Sequence, residues 1–139
     1  MRILIMGLSG AGKTTLARQL VQALMQAGHT VGHLNADEIR SLYNDWDFSP
    51  AGRTRQAERM HKLSADSNWD YVIADFICPL EKHRDILAAD YVIWLDTVKQ
   101  SNYADTDLLF EPPENFNLKF TKNNPTNIAE VLADLKISI

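Results

Sequence analysis

The chain has 139 residues, 45% of them apolar, with 14 Lys and Arg against 18 Asp and Glu for a formal charge of −4. That size suits one domain around one core, and the acidic balance argues against a general binder of nucleic acid or of anionic membranes. No apolar run is long enough to span a bilayer, and Met1-Arg2 leads straight into a strand pattern, so the expectation is a cytoplasmic protein with no membrane partner. Cys78 is the only cysteine, which excludes an internal disulfide and a thiolate metal cluster; beside Pro79 it reads as a small structural residue. His29, His33, His61 and His83 lack ligand spacing and read as surface or rim residues.

The apolar run Ile3-Leu4-Ile5-Met6 is followed at once by Gly7-Leu8-Ser9-Gly10-Ala11-Gly12-Lys13-Thr14-Thr15. This is a strand, a glycine loop and the start of a helix, and the loop matches G-x-x-x-x-G-K-S/T. Glycines let successive backbone N–H groups turn inward around phosphate oxygens, where a Cβ would obstruct them. Lys13 then reaches the β- and γ-phosphates, the Thr14 hydroxyl is placed for Mg²⁺, and the helix from Lys13 adds its N-terminal partial positive charge. Gly7, Ser9, Gly10, Ala11, Gly12, Lys13, Thr14 and Thr15 are therefore expected to hold ATP. A structural glycine turn without a ligand is the bland alternative. Leu16, Leu20, Val21 and Leu24 recur at helical spacing directly after the loop, which is the context the motif requires.

The first helix should run from Lys13 to about Ala27 and stop at Gly28, where positive φ is free. Thr30 to Leu34 reads as a second strand ending in Asn35-Ala36-Asp37-Glu38, and Asn35 or Asp37 can cap a short helix through Ile39, Arg40 and Leu42. Tyr43 to Phe48 is an aromatic-rich loop. Ser49-Pro50 opens a helix expected to reach about Ser67. Arg53, Gln56, Met60 and Leu63 lie on one of its faces; Arg55, Arg59 and Lys62 lie on another, read as solvated, with Glu58 and Lys62 an i,i+4 pair. Asp70 to Asp75 is a buried strand with a carboxylate at its C-terminal end, Pro79 to Ala88 a helix, and Tyr91 to Asp96 a second buried strand ending in Asp. From Gln100 to Leu118 the chain reads as irregular and holds no Lys or Arg. Phe116 to Phe120 is a final strand candidate and Ile128 to Leu135 a closing helix. Strands alternating with helices imply an α/β fold, a mostly parallel sheet with helices on both faces. Ligands in such sheets bind beyond the carboxyl ends of the strands, where the glycine loop, Asn35–Arg40, Asp75–Pro79 and Asp96 would converge.

Phosphoryl transfer needs a phosphate cradle, a metal site and a group that orients the acceptor hydroxyl. For the metal the candidates are Thr14 and Asp75, whose apolar run ending in Asp has the Walker B form; otherwise Asp75 caps a helix or bonds to the glycine loop. Asp37 is placed to take or orient the acceptor proton, with helix capping as the alternative. Arg40, one turn later, is suited to an anionic group of the acceptor. Phe48 offers a flat face to a base or plugs the core.

These residues resemble the adenylylsulfate (APS) kinase family. The glycine loop is a shared pattern; more specific are Leu34-Asn35-Ala36-Asp37-Glu38-Ile39-Arg40, similar to L-D-G-D-N-V-R, and Asp45-Trp46-Asp47-Phe48-Ser49, similar to D-L-G-F-S. Arg53 and Gln56 fall where the family has D-R-x-x-N. Phe76-Ile77-Cys78-Pro79 resembles F-I-S-P with Arg84-Asp85 following in register, and Glu111-Pro112-Pro113-Glu114-Asn115 resembles Y-E-x-P-E-N. The resemblance covers nearly the whole chain and implies a single three-layer P-loop kinase domain over residues 1–139. It further implies an ATP- and Mg²⁺-dependent kinase acting on a nucleotide-like 3′-hydroxyl. Lys13 and Thr14 would serve ATP and metal and Asp37 the hydroxyl, while Arg40, Phe48, Arg53, Gln56 and Ile77 would shape the acceptor pocket.

Three departures stand out. Asn35 replaces the first acidic residue of D-G-D, with Asp75 where the family is uncharged; Gln56 replaces Asn; and the basic lid expected after Asp96-Thr97 is short and acidic, with Asp105, Asp107 and Glu111. Charge in the transition state would then fall to Lys13, the helix terminus, the metal and Arg53 or Arg59. The expected partners are ATP and a small anionic acceptor, with adenylylsulfate, another nucleotide or nucleotide sugar, and a modified base all considered, and with a homodimer considered as the assembly. From other classes, an inactive ATP-binding module is the rival, and a GTPase switch would need a guanine-reading Asp that Thr121-Lys122-Asn123-Asn124 lacks.

Overall fold

The computed structural model describes residues 1–66 and 68–137, so the end expected for the third helix at Ser67 lies outside the described residues. The elements are β1 (Arg2–Met6), α1 (Lys13–Gln26), β2 (Val31–Asn35), α2 (Ala36–Tyr43), α3 (Pro50–Ala65), β3 (Tyr71–Asp75), α4 (Glu81–Leu87), β4 (Tyr91–Leu95), α5 (Ala104–Leu109), β5 (Leu118–Phe120) and α6 (Asn127–Asp134). The strands form one five-stranded sheet in the order β2-β3-β1-β4-β5, with every pairing parallel. This is the P-loop kinase fold.

The two-residue period of a strand divides the core into two layers. Ile3 and Ile5, with Ile73, Ile93 and Leu95, pack against Leu16, Leu20 and Leu24 of α1 and Val131 of α6. Leu4 and Met6, with Val72, Ala74 and Trp94, pack on the opposite face against Ile39 of α2, Met60 of α3 and Leu87 of α4. Both faces being covered, the strands read as continuous apolar runs.

Local caps set where the chain turns. Beyond α1, Gly28 has φ 94° and its N–H bonds to Met25 O at 3.0 Å, while His29 N bonds to Leu24 O at 3.0 Å, a closure that satisfies the last carbonyls of the helix. Asn35 caps α2 by accepting from Glu38 N at 3.0 Å, and the Ser49 hydroxyl accepts from Gly52 N at 3.2 Å ahead of α3.

Between α2 and α3 the loop is clasped by charge. Arg55 binds Asp45 through both carboxylate oxygens, at 2.7 and 3.0 Å, and Arg59 reaches Asp45 Oδ2 at 2.7 Å while lying 4.3 Å over the Tyr43 ring. Arg59 therefore does not belong to a solvated face; Asp45, ahead of α3 in the chain, folds back over that side of the helix. These hydrogen bonds from Arg55 and then Arg59 hold the Asp45 carboxyl well below its ordinary range.

Two further differences concern the second half. The stretch from Gln100 to Leu118 is not irregular throughout: α5 lies within it, its first turn tied down where Asp107 accepts from the Ser101 N–H at 2.8 Å and hydroxyl at 2.6 Å. His83, expected at the surface, is 1% exposed on the inner side of α4, where the Thr54 hydroxyl lies 3.3 Å from its Nε2.

Truncating Leu20, fully buried between α1 and the sheet, should lower stability by about 2–5 kcal/mol in denaturant unfolding; an unchanged midpoint would contradict this core. Because pairing keeps the folded-state pKa of Asp45 below its ordinary 3.8, the stability it contributes is complete above that value and is lost as pH falls through the lower, folded-state pKa. Thermal melts should thus show Asp45→Asn below wild type at neutral pH, with the gap narrowing on acidification below about pH 4. A gap independent of pH would contradict the clasp.

Candidate active site

The glycine loop sits between the end of β1 and the start of α1. Gly10 and Gly12 have φ of 86° and 100°, a region side chains avoid. A Cβ at Gly7 would lie 2.5 Å from the Leu95 carbonyl oxygen, so β4 closes on the loop only because that position is bare. Thr97, just past β4, braces the loop from the side by donating to Ala11 O at 2.8 Å. At the start of α1 no side chain caps the helix and no acidic residue occupies the first turn, so its free N–H groups remain available to an anion. The cradle thus fits a polyphosphate. Lys13 Nζ donates to Leu8 O at 3.0 Å within it. Burial pulls the Lys13 pKa down, opposed by the nearby charges of Asp75 and Asp37.

Parallel register brings the ends of β2 and β3 together, pairing Asn35 with Asp75. The Thr14 hydroxyl donates to Asp75 Oδ2 at 2.7 Å, and Asn35 Nδ2 donates to the same oxygen at 2.8 Å and lies 3.3 Å from Thr14 Oγ1. Asp75 is 3% exposed. Burial pushes its pKa up, but His33, Thr14, Asn35 and the charge of Lys13 together outweigh this and hold it low. A hydroxyl beside an ionised carboxylate is a hard oxygen set that suits Mg²⁺. Among the described residues no group of three His, Cys, Asp or Glu side chains gathers into a cage.

Asp37 stands in the first turn of α2, exposed, and makes no side-chain hydrogen bond or ion pair among the described residues. It lies where two cavities meet. One, of about 330 Å³, runs over the glycine loop and is lined by Lys13, Thr14, Asn35 and Asp75. The other, of about 50 Å³, is lined by Arg40, Phe48, Arg53, Pro79 and His83; Ala36, Asp37, Phe76 and Ile77 belong to both.

The second cavity is cationic. Arg40 is 4% and Arg53 8% exposed. Arg40 Nη1 donates to Asp45 O at 3.0 Å and Asp47 O at 3.2 Å; Arg53 donates to Phe48 O at 2.9 Å and to the Thr106 hydroxyl at 3.2 Å. Neither guanidinium forms an ion pair with a carboxylate among the described residues, unlike Arg55 and Arg59. Phe48 lies between them, 4.3 Å from the Arg40 guanidinium and 5.5 Å from that of Arg53, with half its surface exposed.

Gln56 is placed differently from the other expected acceptor-site residues. It is fully buried behind α2, donating to Ala36 O at 2.8 Å and accepting from Arg59 at 2.9 Å, so it supports the backbone that carries Asp37. Sequence reasoning missed His83 as a wall of this cavity. Burial, reinforced by Lys82, Arg53 and Arg84, pulls its pKa down and keeps the imidazole neutral near pH 7. It also missed a third cavity of about 330 Å³ on the far side of Gly12, where Thr15 and Gln19 face Asn123, Asn124 and Pro125. A polar Asn-Asn-Pro turn between the last strand and the last helix was the available signal. Cys78 is buried, and burial pushes its thiol up to about 12, which leaves it inert.

Comparison with known proteins accords with this geometry. The family profile described as adenylylsulphate kinase matches residues 1–94, from β1 into β4. An adenylyl-sulfate kinase of Shewanella sp. (strain ANA-3) is 39% identical over 89 residues, covering 61% of this chain and 43% of that protein; the chain thus matches less than half the length of that relative. Among solved structures, the hexameric APS kinase from Thiobacillus denitrificans superposes with a TM-score of 0.74 at 27% identity, over 97% of this chain and 28% of that one. The Mycobacterium tuberculosis APS kinase in complex with AMPPNP and APS superposes with a TM-score of 0.79 at 21% identity, over 97% of this chain and 96% of that one, a likeness of fold. With its profile match running over more than half of the sequence, the chain belongs to the adenylylsulphate kinase family.

Proposed function

We propose that this protein is an ATP- and Mg²⁺-dependent kinase, working as a single cytoplasmic domain, that transfers the γ-phosphate of ATP to a hydroxyl of a small, anionic, nucleotide-like acceptor, with adenylylsulfate the first acceptor to test. The observation that carries this reading is that, among the described residues, the buried guanidiniums of Arg40 and Arg53 have no ion-pair partner and line one cavity with the unpaired carboxylate of Asp37. Buried charge is expensive unless it is met by an opposite charge, and an acceptor anion supplies one. Phe48, already flanked by the two guanidiniums, offers its exposed half to a flat base. Family membership and the naming of relatives as adenylyl-sulfate kinases support the same class of reaction.

In the proposed step, the acceptor O–H gives its proton to Asp37 as its oxygen bonds to the γ-phosphorus, and the bond from that phosphorus to the bridging oxygen breaks to release ADP. Lys13 and the uncapped N-terminus of α1 meet the charge that develops on the phosphate oxygens. Thr14 and Asp75 would hold Mg²⁺, which when bound neutralises phosphate charge. The base of ATP is assigned to the cavity between Gln19 and Asn123–Pro125. The stretch 100–118 contains no Lys or Arg. This favours an acceptor whose charge is met by Arg40 and Arg53 alone. Arg59, engaged by Asp45, is not available for the transition state.

Steady-state kinetics of ADP release with adenylylsulfate would divide these roles. Lys13→Ala should lower kcat by about 100-fold or more. Arg40→Lys, which keeps the charge but not the planar fork, should mainly raise the acceptor KM, on the order of 10-fold. Full activity in Lys13→Ala would overturn the mechanism, and an unchanged acceptor KM in Arg40→Lys would remove Arg40 from the acceptor site.

A further inference from the structure

Successive side chains of a strand alternate between faces, so His33 and Asn35 share one face of β2. Register sets them opposite Ile73 and Asp75 of β3. Asn35 spans the gap and donates to Asp75 Oδ2 at 2.8 Å. His33 points at the same oxygen but stops short, its Nε2 lying 3.4 Å away, outside the range of a good N–H···O bond. That nitrogen is buried and makes no hydrogen bond among the described residues.

A buried imidazole nitrogen without a partner is costly, and such groups in native structures call for an explanation. Among the described residues, the polar side-chain contacts of Asp75 converge on Oδ2: Thr14 at 2.7 Å, Asn35 at 2.8 Å and His33 at 3.4 Å. Oδ1 accepts no side-chain hydrogen bond among the described residues, which leaves it for an incoming ligand. A carboxylate that serves a cation through one oxygen needs donors on the other to fix its orientation. A shift of a few tenths of an ångström would bring Nε2 into hydrogen-bond range.

We propose that His33 is a positioning residue for Asp75: with a proton on Nε2 it closes onto Oδ2 and leaves Oδ1 free to serve a Mg²⁺–nucleoside triphosphate. The role is electrostatic orientation, exerted through Asp75 and not on the nucleotide, and it rests on the reading of Thr14 and Asp75 as the metal-facing pair.

The test is equilibrium binding of a fluorescent ATP analogue, titrated with Mg²⁺ and repeated in EDTA, on the intact chain. His33→Leu should raise the Mg²⁺ concentration at half-saturation about 10-fold while leaving binding in EDTA unchanged. His33→Gln, whose amide nitrogen replaces the donor, should return toward wild type. The effect of His33→Leu should vanish in an Asp75→Asn background, since a residue acting only through Asp75 has nothing left to act on. His33→Phe, which fits a strand and lacks the donor, substitutes if His33→Leu fails to fold. A His33→Leu titration identical to wild type, an equal loss in EDTA, or a loss that persists in Asp75→Asn would each overturn the proposal. Wild-type binding indifferent to Mg²⁺ would overturn the metal-site reading and this proposal with it, whereas a Mg²⁺-dependent wild type with a silent His33→Leu would remove His33 alone.

Discussion

In a parallel sheet covered on both faces, buried polar groups along the strands are costly, and Thr14, Asn35 and Asp75 meet where β1, β2 and β3 end. The register of the strands decides everything downstream. Pairing Ile5 and Asn35 with Asp75 brings Asp75, Thr14 at the start of α1 and the Asn35 cap of α2 within hydrogen-bond reach of one another. A slip of one residue would turn Asp75 into a core layer and leave the loop without its carboxylate.

The arginines of the α2–α3 region divide by partner rather than by position on the helix. Arg55 and Arg59 are spent on Asp45 and keep the loop folded against α3. Among the described residues, the hydrogen bonds of Arg40 and Arg53 go to backbone carbonyls and one hydroxyl, so each guanidinium is oriented without a direct ion pair. Carbonyl dipoles hold each guanidinium in place, and both line the cavity that opens beside Asp37. The same loop thus separates guanidiniums paired with a carboxylate from guanidiniums held by neutral groups.

Much of this was legible from residue order. The strands and α1 announced themselves through apolar runs and helical spacing, and the loop motif carried its own chemistry, because both signals are local. Asn35 and Asp75 were linked in the sequence as a lost and a gained carboxylate, but their direct pairing was not legible, since register is a property of two strands and not of either alone. Arg59 was misread because the residue that covers it, Asp45, reaches it by a chain reversal that helical periodicity does not encode. His83 was misread for a related reason: a lone polar residue on a short helix says nothing of which side faces the core. Gln56 shares a face of α3 with Arg53 but is fully buried, held by Ala36 and Arg59, a depth that helical periodicity does not encode. The helix α5 escaped notice because six residues with two aspartates give too short a pattern; what places it is the bond from Arg53 to Thr106 and the Ser101–Asp107 turn.

The central claim is that donor and acceptor cavities meet at Asp37 so that phosphate passes directly between them. Transfer of label from γ-labelled ATP into adenylylsulfate, resolved chromatographically and compared between wild type and Asp37→Asn, tests this most directly. The account predicts labelled acceptor with wild type and its loss in Asp37→Asn while ATP binding is retained. Label released by wild type only as inorganic phosphate, or transfer undiminished in Asp37→Asn, would contradict it.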